Sequence, residues 1–199
     1  MQSASEDMSA SSPLKGKVAW ITGGGSGIGL AGGIELAKAG AHVVISGRSA
    51  ETLKKAEKEI KAAGSGEAIA LDVADQNEVA KAAAEIAKRH GRVDILINSA
   101  GINHPKRNFR NVSIDGWNQI VAVNLSGMFY CVQAVLPGMR ERKAGLIINI
   151  SSWAGRYAST LTGPGYNATK HAVVALTESI NMEECMNGIR ATTACLVAL

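Results

Sequence analysis

The sequence predicts an α/β fold in which helices cover both faces of one parallel sheet. Short apolar runs alternate with longer segments of helical periodicity along most of the chain. Successive strands of this kind pair in parallel because each connection contains a helical crossover. A glycine-rich loop directly follows the first run. With 199 residues, 46% of them hydrophobic, the chain is predicted to form a single doubly wound domain.

Six strands and five helices account for most of the chain. The predicted strands are 18–22, 42–46, 68–71, 93–98, 146–150 and 189–199, and the predicted helices are 30–39, 51–63, 77–90, 114–142 and 166–186. Ser113 is predicted to cap the fourth helix, and Pro137 with Gly138 to disturb its last turns. Ligands bind beyond the carboxyl ends of such strands, which are followed by the loops 23–29, 47–49, 72–75, 99–110 and 151–165.

The ends and the composition exclude several classes of protein. Residues 1–13 are rich in Ser and Ala and have neither a basic start nor an apolar core, so we expect a flexible tail before the domain at 14–199. No apolar run approaches the roughly 20 residues of a membrane span, and we expect no membrane partner. The net charge of +4 is spread along the chain and aromatic residues make up only 4%, so no nucleic-acid partner is expected.

Cysteine and histidine spacing indicates neither disulfides nor metal. Cys131, Cys185 and Cys195 are odd in number and lie in or near apolar segments, which is typical of reduced, buried thiols in a cytoplasmic protein. The histidines show no ligand cluster in the sequence, and we predict no metal site. They stand at positions 42, 90, 104 and 171.

The loop after the first strand indicates a phosphate-binding turn of the Rossmann type. Bare backbone can approach a pyrophosphate there, and the helix N-terminus can receive it. A literal G-x-G-x-x-G begins at Gly27, five residues beyond the strand, so the T-G-x-x-x-G-x-G register of Gly23, Gly27 and Gly29 fits the strand end better. The alternative is a merely flexible glycine turn. The candidate cofactor-binding residues are Thr22, Gly23, Gly25, Ser26, Gly27, Ile28 and Gly29.

The end of the second strand predicts which dinucleotide binds. An NAD site usually carries an acid there, whereas this chain has Gly47 followed by Arg48 and Ser49. A guanidinium suits the 2′-phosphate of NADP, and one charge-assisted hydrogen bond of about 1.5–3 kcal/mol gives roughly a ten- to hundredfold preference. The alternative is a solvent-facing arginine at a helix start. We therefore predict NADP as the cofactor.

The third and fourth strands end in further candidate contacts. Asp72 and Val73 could reach the adenine, although Asp72 is equally well placed to cap the next helix. Asn98, Ala100 and Gly101 would end the fourth strand against the cofactor.

An acid/base pair follows the fifth strand. This strand leads into Ser151 and Ser152, and Tyr166 is followed four residues later by Lys170. On a helix these two side chains share one face, where an ammonium stabilises a phenolate by roughly 4 kcal/mol at an effective dielectric near 20. Ser152 can hydrogen-bond a substrate oxygen. The alternative is a helix-start aromatic residue beside a solvated lysine.

These motifs together resemble those of the short-chain dehydrogenase/reductase family, over nearly the whole chain from Gly16 to Arg190. The resemblance implies that Tyr166 is the general acid/base, that Ser152 holds the substrate oxygen, and that Lys170 assists the tyrosine and binds the nicotinamide ribose. It also implies that Asn124 continues a proton relay through water, the alternative being a buried polar residue that satisfies local backbone. The residues that carry it are Thr22 to Gly29, Asn98 to Gly101, Asn124, Ser152, Tyr166 and Lys170.

The chain departs from the family pattern in three places. Asn98-Ser99-Ala100-Gly101 replaces the usual Asn-Asn-Ala-Gly, and Gly32-Gly33 stands inside the first helix, where each glycine costs up to about 1 kcal/mol. After Arg190 the usual Pro-Gly turn, substrate loop and seventh strand are missing, so we expect a fold without that strand and loop.

The resemblance implies an NADP(H)-dependent oxidoreductase, similar to the 3-oxoacyl reductases, that interconverts a secondary alcohol and a ketone on a small-molecule substrate. The alternatives are a non-catalytic NADP(H)-binding sensor or regulatory subunit, and a scaffold. Loop residues next to the site could contact a partly apolar substrate, or an anion through Arg156. They are Asn103, His104, Arg107, Phe109, Trp153, Arg156 and Tyr157.

The resemblance also implies a homo-oligomer, a dimer or tetramer assembled through the long helix and the helix after Tyr166. The apolar residues compatible with that interface, or equally with the core, are Val132, Val135, Val174 and Ile180.

Overall fold

A computed structural model describes residues 12–196 and shows one six-stranded, fully parallel sheet. Its strand order is β3-β2-β1-β4-β5-β6, the Rossmann order, with the switch point between β1 and β4. The predicted fold is thus confirmed. Residues 1–11 of the predicted tail and 197–199 of the predicted sixth strand lie outside the described residues. The strands are β1 Val18–Thr22, β2 His42–Gly47, β3 Ser65–Ala70, β4 Ile95–Asn98, β5 Gly145–Ser152 and β6 Ile189–Leu196.

Two hydrophobic cores lie on the two faces of the sheet, because successive strand residues point to opposite faces. Trp20, Val44 and Ile147 pack on one face in a cluster that includes residues of α3 and α5. Ile21 and Ile45 pack on the other, in a cluster that includes residues of α1 and α2. The helices are α1 Gly27–Lys38, α2 Ala50–Ala63, α3 Gln76–His90, α4 Ile114–Val121, α5 Gly127–Arg142 and α6 Pro164–Glu184.

Short polar side chains and a proline set where several helices begin. Ser49 accepts a hydrogen bond from Thr52 N–H at the start of α2, and Ser113 caps α4 as predicted, accepting from Gly116 N–H at 3.0 Å. Pro164 starts α6 two residues before the predicted Tyr166, since its fixed φ suits the first helical position. The helix ends at Glu184, before a short 3₁₀ turn at 185–187.

Several element boundaries differ from the prediction, and two of the differences have identifiable reasons. β3 begins at Ser65 rather than at 68, because Gly66 has no side chain to strike the Val43 backbone and Ile60. α1 begins at Gly27 rather than at 30. β5 extends over Gly145–Ser152 because β6 pairs with its full length.

The long fourth helix was predicted to be disturbed at Pro137, and this was wrong. Pro137 lies inside α5, which stays helical to Arg142. The irregularity is instead a π turn at Ala122–Ser126, closed by a hydrogen bond from Gly127 N–H to Ala122 C=O. Such wide turns are frequent at functional sites, and this one carries Asn124.

The same long helix modifies the expectation about membranes. Ile114–Arg142 spans 29 residues with a mean hydropathy of 1.6 in its most apolar window, which is long and apolar enough to cross a membrane by those two criteria. A helix of a protein core meets the same criteria, and Val132, Val135 and Met139 of this helix are buried against the sheet.

Two predictions about single residue types were also wrong. Cys131 is buried, and burial raises the pKa of its thiol to about 12, but Cys185 is exposed because it lies in the surface turn after α6. The expectation that the histidines form no cluster of potential ligands is contradicted for two of them, since parallel pairing of β2 with β3 and the end of α3 bring the His42 and His90 rings to 4.1 Å.

Candidate active site

The predicted site residues meet at the carboxyl edge of the sheet, around the switch point between β1 and β4. Two clefts open there, and both are bordered by Gly23, Ser26 and the segment Ala100 to Ile102. The first cleft extends towards β2 and β3, and the second towards β5 and α6. An elongated ligand could therefore occupy both.

The first cleft, of about 600 Å³, is built on the glycine loop. Gly23 has φ +66°, and a Cβ there would lie 2.8 Å from the Ala100 backbone. A Cβ at Gly29 would lie 2.5 Å from Gly23 O, whereas Gly32 has no atom within 4 Å of its Cβ position in the described chain. Close packing thus requires glycine at Gly23 and Gly29, and a φ of +54° favours glycine at Gly27, whereas neither reason applies at Gly32.

The second glycine of the unusual Gly32-Gly33 pair has a packing explanation. A Cβ at Gly33 would lie 2.8 Å from Ile60 Cδ1, so α1 and α2 approach closely there. Nothing in the structure explains Gly32.

Arg48 lies in the first cleft, together with Gly47 and Ser49. Within residues 12–196 its exposed guanidinium has no hydrogen bond or ion pair. The Ser49 hydroxyl is engaged in capping α2, and Thr52 Oγ1 donates to it at 2.9 Å. A free cation beside a helix N-terminus favours an anionic group at this end of the cleft.

Asp72 and Val73 also line the first cleft. The alternative that Asp72 caps the next helix is wrong, because another residue is the cap. Asp75 is the cap of α3 and accepts from Asn77 N–H and Glu78 N–H. Asp72 instead accepts from Ala74 N–H at 3.0 Å, in a turn that leaves its carboxylate at the cleft.

Beneath the switch point runs a buried chain of polar side chains that sequence reasoning missed in part. Asn98 Nδ2 donates to Asn149 Oδ1 at 2.9 Å, and Asn149 Nδ2 donates to Thr177 Oγ1 at 2.9 Å. Asn98 Oδ1 is buried and has no partner in the described chain. The signal for Asn149 was an amide inside an apolar strand.

The second cleft, of about 720 Å³, brings together Ser152, Tyr166 and Lys170. Ser152 ends β5, and the other two lie one turn apart on α6. Ile28 lines the same cleft, as do Ser151 and Leu196. Two separate segments, β5 and α6, thus place a hydroxyl, a phenol and an ammonium around one space.

Lys170 is nearly buried, with 5% of its surface exposed. Its Nζ donates to Ile150 C=O at 2.8 Å and lies 5.5 Å from the centroid of the Tyr166 ring. Burial lowers the pKa of this ammonium to about 8, an effect that Cys195 opposes. The alternative of a solvated surface lysine is therefore excluded.

The two adjacent serines differ in what their hydroxyl groups do. Ser151 is buried and donates to Lys170 C=O at 3.0 Å, which fixes the strand to the helix. Ser152 is half-buried at the cleft, and its oxygen accepts from Ala154 N–H at 3.2 Å, which leaves its proton free to donate. This geometry favours Ser152 as the substrate-facing hydroxyl.

Asn124 is buried in the π turn and holds a neighbouring loop. Its Oδ1 accepts from Ile102 N–H at 2.8 Å, and its Nδ2 donates to Ile102 C=O at 2.9 Å. The side chain therefore positions the segment that borders both clefts. With Thr22 and Asn98 it also lines a small space between them.

Of the loop residues predicted near the substrate, the structure brings only two to the second cleft. Asn103 reaches across to donate to Thr162 C=O at 3.0 Å, and Trp153 forms part of the wall. Tyr157 stacks on Trp153 with ring centroids 5.2 Å apart. His104, Arg107, Phe109 and Arg156 do not line either cleft in the described chain.

Comparison with known proteins identifies the family. Residues 17–198 match the family described as short chain dehydrogenase. A "D-beta-hydroxybutyrate dehydrogenase" of Rhizobium meliloti is 35% identical over 182 residues, which are 90% of this chain and 70% of the relative. A "2,5-dichloro-2,5-cyclohexadiene-1,4-diol dehydrogenase LinX" of Sphingobium indicum is 41% identical over 182 residues, 90% of this chain and 72% of the relative.

Solved structures share the architecture. A metagenomic short-chain oxidoreductase in complex with NADP matches with a TM-score of 0.87 and 35% identity, over 91% of this chain and 82% of that one. An NAD⁺-bound xylitol dehydrogenase matches with a TM-score of 0.89 and 26% identity, over 92% of this chain and 71% of that one. Both nicotinamide cofactors thus occur among the neighbours.

Proposed function

We propose that this chain, which belongs to the short chain dehydrogenase family, is an NADP(H)-dependent oxidoreductase. It would interconvert a secondary alcohol and a ketone. The observation that carries the proposal is the meeting of Ser152, Tyr166 and Lys170 in a cleft that shares the border Ala100 to Ile102 with the glycine-loop cleft.

The residues of the first cleft fit a dinucleotide. The glycine loop and the N-terminus of α1 would hold the pyrophosphate, and Arg48 with the start of α2 would hold a 2′-phosphate. Asn98, predicted as a further cofactor contact, lines only the small space that Thr22 and Asn124 also border, and not either cleft. Asp72 and Val73 would border the adenine.

The residues of the second cleft would handle the proton while the cofactor, when bound, supplies or accepts the hydride. In reduction, Ser152 donates a hydrogen bond that orients the carbonyl oxygen, and Tyr166 Oη gives its proton to that oxygen. The Lys170 ammonium stabilises the phenolate that remains. The Asn124 side chain is already hydrogen-bonded to Ile102. Asn124 would therefore take part in the proposed proton relay through its backbone or through water.

The wall of the second cleft supports a partly apolar, uncharged carbonyl compound as the substrate. Trp153 and Leu161 supply apolar surface, and Lys170 is the only Lys or Arg among the lining residues of the described chain. The earlier expectation that Arg156 attracts an anion receives no support from this geometry, since Arg156 lies outside the cleft.

Replacing Tyr166 by Phe tests the mechanism. Turnover of ketones with NADPH should fall by about a hundredfold or more, since general acid catalysis contributes about 10²–10⁴-fold, while NADPH binding stays nearly unchanged. Tyr157→Phe is the matched control, because Tyr157 is 62% exposed and lies outside the cleft. Turnover that survives Tyr166→Phe would refute the assignment. Tight NADPH binding by the unmodified chain without any turnover would favour a sensor.

We also propose that two copies associate through α5 and α6. A groove of about 170 Å³ between these helices is bordered by Phe129, Leu136 and Ile180. Val132 and Val135, which the sequence could not assign to core or interface, are buried in the monomer core.

A further inference from the structure

His42, Glu67 and His90 form a cluster near the amino ends of the strands, at the opposite edge of the sheet from the two clefts. His42 is the first residue of β2, Glu67 lies in β3, and His90 is the last residue of α3. One ligand atom of each lies within 4.8 Å of the others. None of the three contributes to the proposed active site.

His42 presents a nitrogen that lacks a partner. Its Nδ1 is 2.7 Å from Ser65 Oγ, whereas its Nε2 is buried and makes no hydrogen bond within the described residues. If Nδ1–H donates to Ser65, Nε2 carries a lone pair with nothing to accept. Metal-binding histidines commonly have this arrangement, with the second nitrogen held by a hydrogen bond.

Glu67 and His90 complete a set of three ligands. His90 Nε2 lies 2.9 Å from Glu67 Oε1, and Arg89 donates to Glu67 Oε2 at 2.8 Å. The two imidazole rings lie 4.1 Å apart with an interplanar angle of 35°. A metal ion bound by His90 and Glu67 would replace the hydrogen bond between these two side chains with two bonds to the metal.

We propose that His42, Glu67 and His90 bind a divalent transition-metal ion of the Zn²⁺ class, with water in the fourth position. Two imidazoles and one carboxylate are ligands that Zn²⁺ takes at about 2.0–2.2 Å. At these bond lengths the ligand atoms of a tetrahedral site lie about 3.3–3.5 Å apart, so His90 Nε2 and Glu67 Oε1, now 2.9 Å apart, must separate slightly. The Arg89 charge opposes the ion, so the affinity is modest.

The electrostatics of the cluster are compatible with this assignment. Burial, with a further contribution from His90, lowers the pKa of His42, so that its ring is neutral and can act as a ligand at neutral pH. Burial acts to raise the pKa of Glu67, but hydrogen bonds from His90 and Arg89, with the charges of those residues, together lower it, so Glu67 keeps a carboxylate. Metal bound here is independent of the proposed reaction.

The test is titration of the untagged, metal-free chain with Zn²⁺ by calorimetry and with Co²⁺ by visible absorption. We expect one ion per chain, and about a tenfold or greater loss of affinity in His42→Gln and in His90→Gln. X-ray absorption at the zinc edge should show two imidazole ligands. Circular dichroism establishes whether each variant is folded. If one of the two histidine variants does not fold, the other still tests the site.

Two matched variants control for other ligands. His171→Gln removes an exposed histidine of α6, and Cys185→Ser removes the exposed thiol. Both should bind Zn²⁺ like the unmodified chain. The proposal is overturned by no binding at millimolar Zn²⁺, by unchanged affinity in both cluster variants, or by loss of binding in Cys185→Ser.

Discussion

At the scale of the residue, burying the Lys170 ammonium, which the proposed reaction needs, lowers the stability of the fold. Its pKa is about 8 in the folded chain, and a lysine in the unfolded chain has a pKa near 10.4. Between these values the unfolded state binds more protons, so stability rises with pH there. At neutral pH, keeping this charge buried costs on the order of 3 kcal/mol.

Lys170→Met should therefore stabilise the fold while abolishing turnover. We expect the free energy of unfolding to rise by about 1–3 kcal/mol near pH 7, less whatever is lost by leaving Ile150 C=O without its donor. The increase of stability from about pH 8 to about pH 10 should flatten. Urea denaturation at several pH values measures both, with exposed Lys55→Met as control. A destabilised variant at pH 7 would contradict the argument.

Arg48→Ala tests the cofactor preference at the same scale. NADPH should bind about ten- to a hundredfold more weakly, because one charge-assisted hydrogen bond to the 2′-phosphate is lost, and NADH should bind almost unchanged. Nicotinamide fluorescence follows both titrations. Arg156→Ala, outside both clefts, is the control. Equal losses of affinity for NADPH and NADH would show that Arg48 does not bind the 2′-phosphate.

At the scale of the element, β5 shows how differently the two faces of the sheet are covered. Ile147 is fully buried in the core that includes residues of α3 and α5. Ile148, the next residue, points to the α1 and α2 side and is only partly buried. The alternation of a strand thus places two similar side chains in unequal surroundings.

Truncating these two residues should give unequal losses. Ile147→Ala should cost about 3–4 kcal/mol, in the range for a filled core position, and Ile148→Ala about 1–2 kcal/mol, because less apolar surface leaves water there. Urea denaturation of the pair measures the difference. Equal losses would mean that another surface covers Ile148 in solution.

At the scale of the whole molecule, the apolar groove between α5 and α6 has the position expected for a dimer contact. Phe129 is 43% exposed beside it. If two copies pair through this groove, the association buries apolar side chains that the monomer leaves in contact with water.

Phe129→Ser should shift the assembly towards monomers. Light scattering after size exclusion should show a dimer or tetramer for the unmodified chain and a smaller particle for the variant. Phe109→Ser is the matched control, since Phe109 is 87% exposed but lies away from the groove. A monomeric unmodified chain would refute the proposed contact.

Much of the molecule could be predicted because its signals are local. The apolar periods predicted all six strands, and the glycine register was predictable because it begins where β1 ends. The π turn was not predictable, because nothing in 122–126 differs from ordinary helix sequence. The start of β3 was missed because Ser65 and Gly66 favour turns, and only the fit of Gly66 under Val43 makes them a strand.

By itself, the sequence determined the α/β fold, the glycine loop and the order of Ser152, Tyr166 and Lys170. The apolar periodicity that distinguishes strands from helices depends only on residues that are neighbours in the chain. Only the tertiary structure decided which of the two serine hydroxyls is free to donate, how deeply Lys170 is buried, and that His42, Glu67 and His90 meet. Those facts depend on contacts between elements far apart in the chain, and the register of parallel strands sets them.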